Sequence, residues 1–337
     1  MARRKGIFPR RVVIQMLVAP IIIIVCAMLY MFMIHSTART PVVFTVARGD
    51  TVTGVASRLM AEKLIDSEQT FKMAVRMNGG KIQSGQYDIQ AGDSVWTIAD
   101  MLANGRVAST TIVIPEGLTI KQVKKLLMQA SNLTGSVDCE NGNLAPVCKL
   151  SDGQIFPDTY TVAKGTKRLA VLELARKKML SVEDVLKKNA RKLPKPLKNW
   201  NEVLTLASIV QKETPQVREM PIVASVYLNR LNKGMRLQAD PTVVYALTDK
   251  LGDMQGQPLL RGHLKIESPY NTYRNAGLPP APIANVGQAA IRAVLKPADT
   301  NYLFFVADGR GGHKFSKDYE THQKNHADWR KIKKNRD

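Results

Sequence analysis

The chain is poor in cysteine and histidine, and it is short of acid. Its three cysteines, Cys26, Cys139 and Cys148, form no Cys-x-x-Cys cluster, and no second cysteine pair or nearby histidine completes a zinc ligand set. Among five histidines there is no His-Glu-x-x-His pair. His322 and His326 stand at i, i+4 in "HQKNH", with His313 nearby, but no acid lies between them, so they read as a surface or packed pair. A phosphate-binding glycine loop, a Gly-x-Ser-x-Gly elbow and a Cys-His signature are all missing. These absences argue against metal, nucleotide and acyl-transfer chemistry and imply no cofactor. Asp and Glu number 28 against 49 Lys and Arg, a net charge of +21. Such a surface favours a polyanion: nucleic acid, anionic lipid or an acidic polymer.

The N-terminus helps to choose among these. Residues 1–11, "MARRKGIFPRR", carry five basic residues and no acid, and residues 12–34 then run 23 positions without a charge. As a helix that run is about 35 Å long, enough to span a bilayer core. "MFMIHSTART" is a poor cleavage site, so an uncleaved single-pass anchor is expected rather than a signal peptide. The basic tail stays in the cytoplasm. The rest of the chain then faces outward from an inner membrane, in the periplasm if the cell has one, which argues against nucleic acid. In an oxidising compartment Cys139 and Cys148 could close a small loop; two free thiols are the alternative.

A short pattern recurs after the anchor. "FTVARGDTVTGVASRLM" from Phe44, "YDIQAGDSVWTIADML" from Tyr87 and "IVIPEGLTIKQVKKLL" from Ile112 align on Gly49, Gly92 and Gly117. Thr51, Ser94 and Thr119 follow two positions later, and apolar residues then fall at helical spacing. An alternating stretch forms a strand, glycine permits the turn, and Ser or Thr caps a helix. Residues 42–130 therefore read as strand-turn-helix units. They resemble LysM modules, which hold glycan chains; generic strand-helix packing is the plainer alternative.

Residues 131–155 read as a linker, rich in Asn, Gly and Ser. Residues 156–330 form a mixed α+β domain that begins with helices, and 331–337 are a basic tail. Within this domain "NEVLTLASIVQKET" predicts a helix over 201–214, stopped by Pro215. Val210, Ile209 and Leu206 share the face of Glu213. Desolvation and the negative end of the helix dipole would both raise the pKa of Glu213, which suits an acid that protonates a glycosidic oxygen. Spacing alone leaves open whether Glu213 does this or simply points into water. Glycosidases usually need two carboxylates. Glu202 is too far along the helix and Glu219 falls in the turn, whereas Asp240 could fold close. A lytic transglycosylase needs only one: its acid protonates the bond, then as a base takes the C6 hydroxyl proton while that oxygen attacks C1.

Gln238, Asp240 and Tyr245 in "LQADPTVVY", and Asn271, Tyr273, Asn275 and Asn285 in "SPYNTYRNAGLPPAPIAN", suit sugars, since amides and tyrosines bond hydroxyls and acetamido groups. The same residue types also make ordered turns.

"LASIVQKET", "VASVYLNRLNKGMRLQADPTVVYAL", "SPYNTYRNAGLPPAPIANVG" and "NYLFFVADGRGGHKFS" resemble, in order and spacing, the signature blocks of the YceG-like endolytic murein transglycosylases, from about residue 44 to 326. The resemblance implies cleavage of MurNAc–GlcNAc bonds inside nascent peptidoglycan strands, giving 1,6-anhydroMurNAc ends and limiting strand length. It also implies coupling to wall synthases, the penicillin-binding proteins. The family's segment carries Glu-Lys-Glu with the second glutamate catalytic. That residue corresponds to Glu213, while the first is Gln211 here. By the same resemblance Asp240 and Tyr273 are the foremost candidates to bind glycan or orient Glu213. The rivals are a non-enzymatic LysM-type wall-binding scaffold and a hydrolysing muramidase.

Overall fold

Burial alternates along residues 42–46: Phe44 and Val46 are buried while Val43 and Thr45 are exposed, as a half-buried strand requires. A computed structural model describes residues 19–20, 22–23, 38, 41–139, 146–190 and 192–334. The expected anchor, residues 12–34, lies outside the described residues apart from four positions. No described helix is long and apolar enough to cross a membrane. Contacts divide the chain into two compact units, one of residues 1–110 with 163–165, the other of residues 111–162 with 166–337.

The first unit runs β1 (Val42–Val46), α1 (Val52–Ala61), α2 (Glu68–Met77), β2 (Gly85–Ile89) and α3 (Val95–Ala103). β1 and β2 pair antiparallel, with Phe44 opposite Tyr87. The helices close over this ribbon, burying Leu59, Phe71, Ile98 and Leu102 against it. A two-stranded ribbon is marginal alone, so this apolar cover is what stabilises the unit.

The second unit repeats the strand-turn-helix theme and then changes character. β3 (Ser109–Val113) leads into α4 (Ile120–Gln129), and β4 (Thr159–Ala163) into α5 (Arg168–Asn189); β3 and β4 pair. In the three predicted units Gly49, Gly92 and Gly117 have φ of +95°, +101° and +78°, which explains the glycines. Thr51, Ser94 and Thr119 accept from the backbone N–H groups of Gly54, Thr97 and Gln122, capping α1, α3 and α4. β4–α5 is a fourth copy that the sequence reading missed. Gly165 has φ +80°, but Lys167 occupies the cap position and makes no capping bond. Its buried Val171 and Ala175 stand where Val55 and Leu59 stand in the first copy. Residues 131–155, read as a linker, contribute buried Leu133, Val137 and Ile155 to the core between α4 and α5. Cys139 and Cys148 are disulfide-bonded there, with Cα atoms 5.6 Å apart.

The remaining core is helical. α6 (Trp200–Glu213), α7 (Met220–Asn232), α8 (Asp240–Leu247) and α9 (Gln288–Leu295) follow, then the antiparallel hairpin β5 (Phe304–Ala307) and β6 (His313–Ser316), and α10 (Tyr319–Lys334). α6 is capped by Asn199 and buries every residue from Val203 to Val210, so packing rather than propensity holds it. Buried Ser208 donates to Thr205 O and accepts from Ile283 N–H, tying the helix to the segment before α9.

Asn285 makes a similar tie: its Nδ2 donates to Leu118 O at 2.9 Å and its Oδ1 accepts from Gly153 N–H at 2.9 Å, all without exposure. Replacing it by Ala strands the buried Gly153 N–H, while Leu118 O keeps the Asn285 backbone N–H. Asn285→Ala should therefore lose about 2–4 kcal/mol of stability in denaturant titrations; a loss within experimental error would show that the clamp is dispensable.

Candidate active site

Pro215 stops α6 immediately after its last turn. Thr214 is extended (φ −142°, ψ 132°), so Glu213 is the final helical residue. Its side chain reaches a cleft of about 440 Å³ that Tyr227, Arg230, Asp240, Tyr273 and Phe305 also line. Tyr227 and Arg230 stand three residues apart on α7 and so share a face. The Tyr227 hydroxyl donates to Glu213 Oε1 at 2.6 Å, and Phe305 packs edge-on against the Tyr227 ring. Arg230 is buried. Its Nε donates to Leu303 O at 2.7 Å and its Nη1 to Leu237 O at 2.8 Å, which anchors the guanidinium beside the acid.

Burial is the main influence on Glu213. Loss of hydration raises its pKa from 4.5 to about 7; the Tyr227 hydrogen bond opposes this, the charge of Asp240 adds to it, and Arg230 opposes it. Tyr227 itself stays protonated, because burial and then the Glu213 charge push its hydroxyl well up. An acid with these properties is part protonated at neutral pH, and its conjugate base has a donor and a cation ready to stabilise it.

The far wall comes from the chain around α8. Asp240 opens α8, and its Oδ1 accepts from the Tyr273 hydroxyl at 2.6 Å. Gln238 also lines the cleft, in a left-handed conformation (φ +49°) with its N–H bonded to Thr272 O. Side chains seldom adopt this conformation, and its occurrence beside the acid marks a backbone held in place by its surroundings.

Three residues expected to touch glycan do not line the cleft. Tyr245 is buried and its hydroxyl donates to Asp152 Oδ2 at 2.5 Å. Asn271 is fully buried; its Nδ2 donates to Leu264 O and Ile266 O, and its Oδ1 accepts from Tyr273 N–H. Asn285 forms the clamp described above. For the two asparagines the reason is shared: irregular chain carries backbone groups with no ladder to join, and a buried amide satisfies them, whereas Tyr245 serves the buried Asp152 carboxylate. Asn271 thereby holds the loop that presents Tyr273. Asn275 likewise bonds Ser268 O and Asn271 O.

Gln211 and the other acids near the motif are occupied elsewhere. Gln211 accepts from Gly287 N–H at 3.2 Å and is not among the cleft residues. Glu219 pairs with His313, its Oε2 lying 2.8 Å from Nδ1. Glu202 accepts from Lys198 N–H at the start of α6. His322 and His326, read as a surface or packed pair, pack ring to ring on α10, with His322 on Phe304, and also line the cleft. The sequence reading also passed over Tyr227 and Arg230. The signal available was a tyrosine and an arginine three apart in the otherwise apolar "VASVYLNRL". Among the described residues no group of three or more His, Cys, Asp or Glu could hold a metal ion.

This is an α+β domain built around one desolvated carboxyl group in a cleft. The chain belongs to the YceG-like family, whose sequence model matches residues 44–328. It is 29% identical to the endolytic murein transglycosylase of Bacillus subtilis (strain 168), over 86% of this chain and 85% of that one. It is 26% identical to the endolytic murein transglycosylase of Streptococcus pneumoniae (serotype 2, strain D39), over 88% of this chain but only 59% of that longer one. A crystal structure of a yceG-like protein from Listeria monocytogenes superposes with a TM-score of 0.50 at 28% identity, covering 84% of this chain and 98% of that one.

The raised Glu213 pKa has a consequence for stability. Between pH 4.5 and about 7 the folded state keeps a proton that the unfolded chain has lost, so stability falls as pH rises through this window. Glu213→Gln removes that titration. The variant should gain on wild type by about 1–3 kcal/mol between pH 5 and pH 8. Unfolding curves at the two pH values measure it, and an equal difference at both would refute the shift.

Proposed function

We propose that this chain is a membrane-anchored, endolytic lytic transglycosylase that cuts MurNAc–GlcNAc bonds within nascent peptidoglycan strands and leaves 1,6-anhydroMurNAc ends. The observation that carries this reading is Glu213, a cleft carboxyl with a pKa raised to about 7 and bonded to the Tyr227 hydroxyl. Its motif resembles the family's catalytic segment, and relatives over most of the chain are named endolytic murein transglycosylases.

Glu213 in its acid form gives its proton to the glycosidic oxygen as the C1–O bond breaks. The GlcNAc side leaves as an alcohol and positive charge develops at C1. Tyr227 and Arg230 stabilise the resulting carboxylate. Glu213 then takes the proton from the C6 hydroxyl of the same MurNAc, whose oxygen bonds to C1. The acid is regenerated and no water is consumed. Asp240, held by Tyr273, faces the developing positive charge, and Gln238 bonds sugar hydroxyls or acetamido groups.

The wider arrangement follows the same reading. Residues 12–34 anchor the chain in the inner membrane, with the N-terminus cytoplasmic and the catalytic domain periplasmic. The β1–α1–α2–β2 arrangement, with its antiparallel ribbon, is LysM-like and holds glycan. The excess of basic residues meets anionic lipid and the carboxylates of stem peptides. Ending elongating strands would couple the enzyme to the wall synthases. Deleting residues 12–34 should move the protein from the membrane fraction to the soluble one; retention with the membranes would refute the anchor.

A hydrolytic reading has one observation in its favour: Asp240, a second carboxylate, lines the same cleft. Products separate the two readings. Full-length protein incubated with purified murein should yield anhydro ends by mass spectrometry, and new reducing ends would instead identify a hydrolase. No new ends at all would leave a wall-binding scaffold. Glu213→Gln should slow cutting by about 10²–10⁴-fold. Wild-type kcat/KM should fall above pH ~7 as the acid form is lost.

A further inference from the structure

One face of α10 carries aromatic rings at helical spacing: Tyr319, His322, His326 and Trp329, at i, i+3, i+7 and i+10. Neighbouring ring centroids lie 6.3, 6.2 and 5.5 Å apart, so the rings form a continuous ladder. From Tyr319 to Trp329 it rises about 15 Å along the helix. Its first three rungs line the Glu213 cleft, and Trp329 carries it further along α10.

Packing accounts for only part of this ladder. His322 stacks on Phe304 at 5.1 Å, and that contact seats the helix on β5. Burial, then the neighbouring His326 and Arg230, lower the pKa of His322 and keep its ring neutral. The other three rungs are less enclosed. Tyr319 is 61% exposed, and His326 and Trp329 are half-buried. The Tyr319 hydroxyl, the His326 ring nitrogens and the Trp329 indole N–H make no hydrogen bond to described residues. Ring faces with unused polar edges, in a row leading out of a catalytic cleft, match one kind of ligand. A glycan strand presents apolar sugar faces for stacking, and hydroxyl and acetamido groups for the free donors and acceptors.

We propose that the Tyr319–His326–Trp329 face of α10 is an extended binding track for the glycan strand, adding sugar subsites on one side of the bond that Glu213 cuts. The proposal rests on the transglycosylase reading for the identity of the polymer. Track contacts reward only strands with several sugars beyond the cut, so they favour cleavage within a strand over cleavage at its end. Trp329 is the outermost rung and has no part in the chemistry.

Binding to full-length Glu213→Gln protein tests the track without turnover. The probes are long uncross-linked strands of alternating GlcNAc and MurNAc, and a tetrasaccharide of the same sugars. Adding Trp329→Leu, which keeps bulk and loses the ring, should weaken long-strand binding about tenfold and leave tetrasaccharide binding unchanged. Trp329→Phe should restore most of the loss. In the active enzyme Trp329→Leu should raise KM on long strands with kcat preserved. The track is refuted if Trp329→Leu binds long strands as tightly as its parent. It is equally refuted if both ligands are lost together, which would report a packing defect. Ring-dependent strand binding without anhydro products in the active enzyme would support the track while overturning the transglycosylase reading.

Discussion

The 2.6 Å hydrogen bond from the Tyr227 hydroxyl to Glu213 Oε1 joins the last turn of α6 to the middle of α7. Each partner is placed by strong packing. α6 is driven into the core by the unbroken buried run Val203–Val210, and α7 by Met220, Val223, Ala224 and Val226. The helices cannot shift independently without exposing apolar surface, so the carboxyl at the end of one is held against the hydroxyl on the other. The same packing strips water from the carboxyl and raises its pKa to about 7. Fold and reactivity thus have one cause.

Around this pair the chain is less regular, and buried polar side chains take over the role of secondary structure. Asp152 accepts from both Ile120 N–H and the Tyr245 hydroxyl, and Asn285 links Leu118 and Gly153. Asn271 gathers Leu264, Ile266 and Tyr273. Such contacts are costly to leave half made, which makes them effective at specifying one loop conformation. Through Asn271 they hold Tyr273, whose hydroxyl bonds Asp240 at the cleft. Arg230 contributes in the same manner, by bonding carbonyls at 237 and 303 and so tying the segments before α8 and β5 to α7.

The strand-turn-helix pattern shows how far local rules reach. At Gly49, Gly92 and Gly117 the turn demands positive φ, and a Ser or Thr two residues on caps the helix, so three copies are legible from spacing. The fourth copy keeps the glycine and the buried helix positions but has Lys167 at the cap, and it escapes the pattern for that reason. Spacing also says nothing of partnership. β1 pairs with β2 and β3 with β4 because their apolar faces close separate cores, and both choices join strands some forty residues or more apart.

Glu213 was marked as a candidate by features within a few residues of it: the apolar face, the stop at Pro215, and the motif around it. Helix existence, caps and turns were legible for the same reason, since they depend on neighbours in the chain. Which polar residues face sugar was not. Asp240, Gln238 and Tyr273 reach the cleft, whereas Asn271 and Asn285, of equally suitable chemistry, are turned inward to satisfy backbone groups, and Tyr245 to bond buried Asp152. Tyr227, Arg230 and the first three rungs of the α10 ladder join the cleft from positions 14 to 113 residues beyond Glu213. The amino-acid sequence by itself determined the candidacy of Glu213, its helix and the turn-and-cap repeats, because short-range sterics and hydrogen bonding decide those. Tertiary structure alone decided which distant groups surround the acid and how dry it is, because burial is a property of the whole packed core.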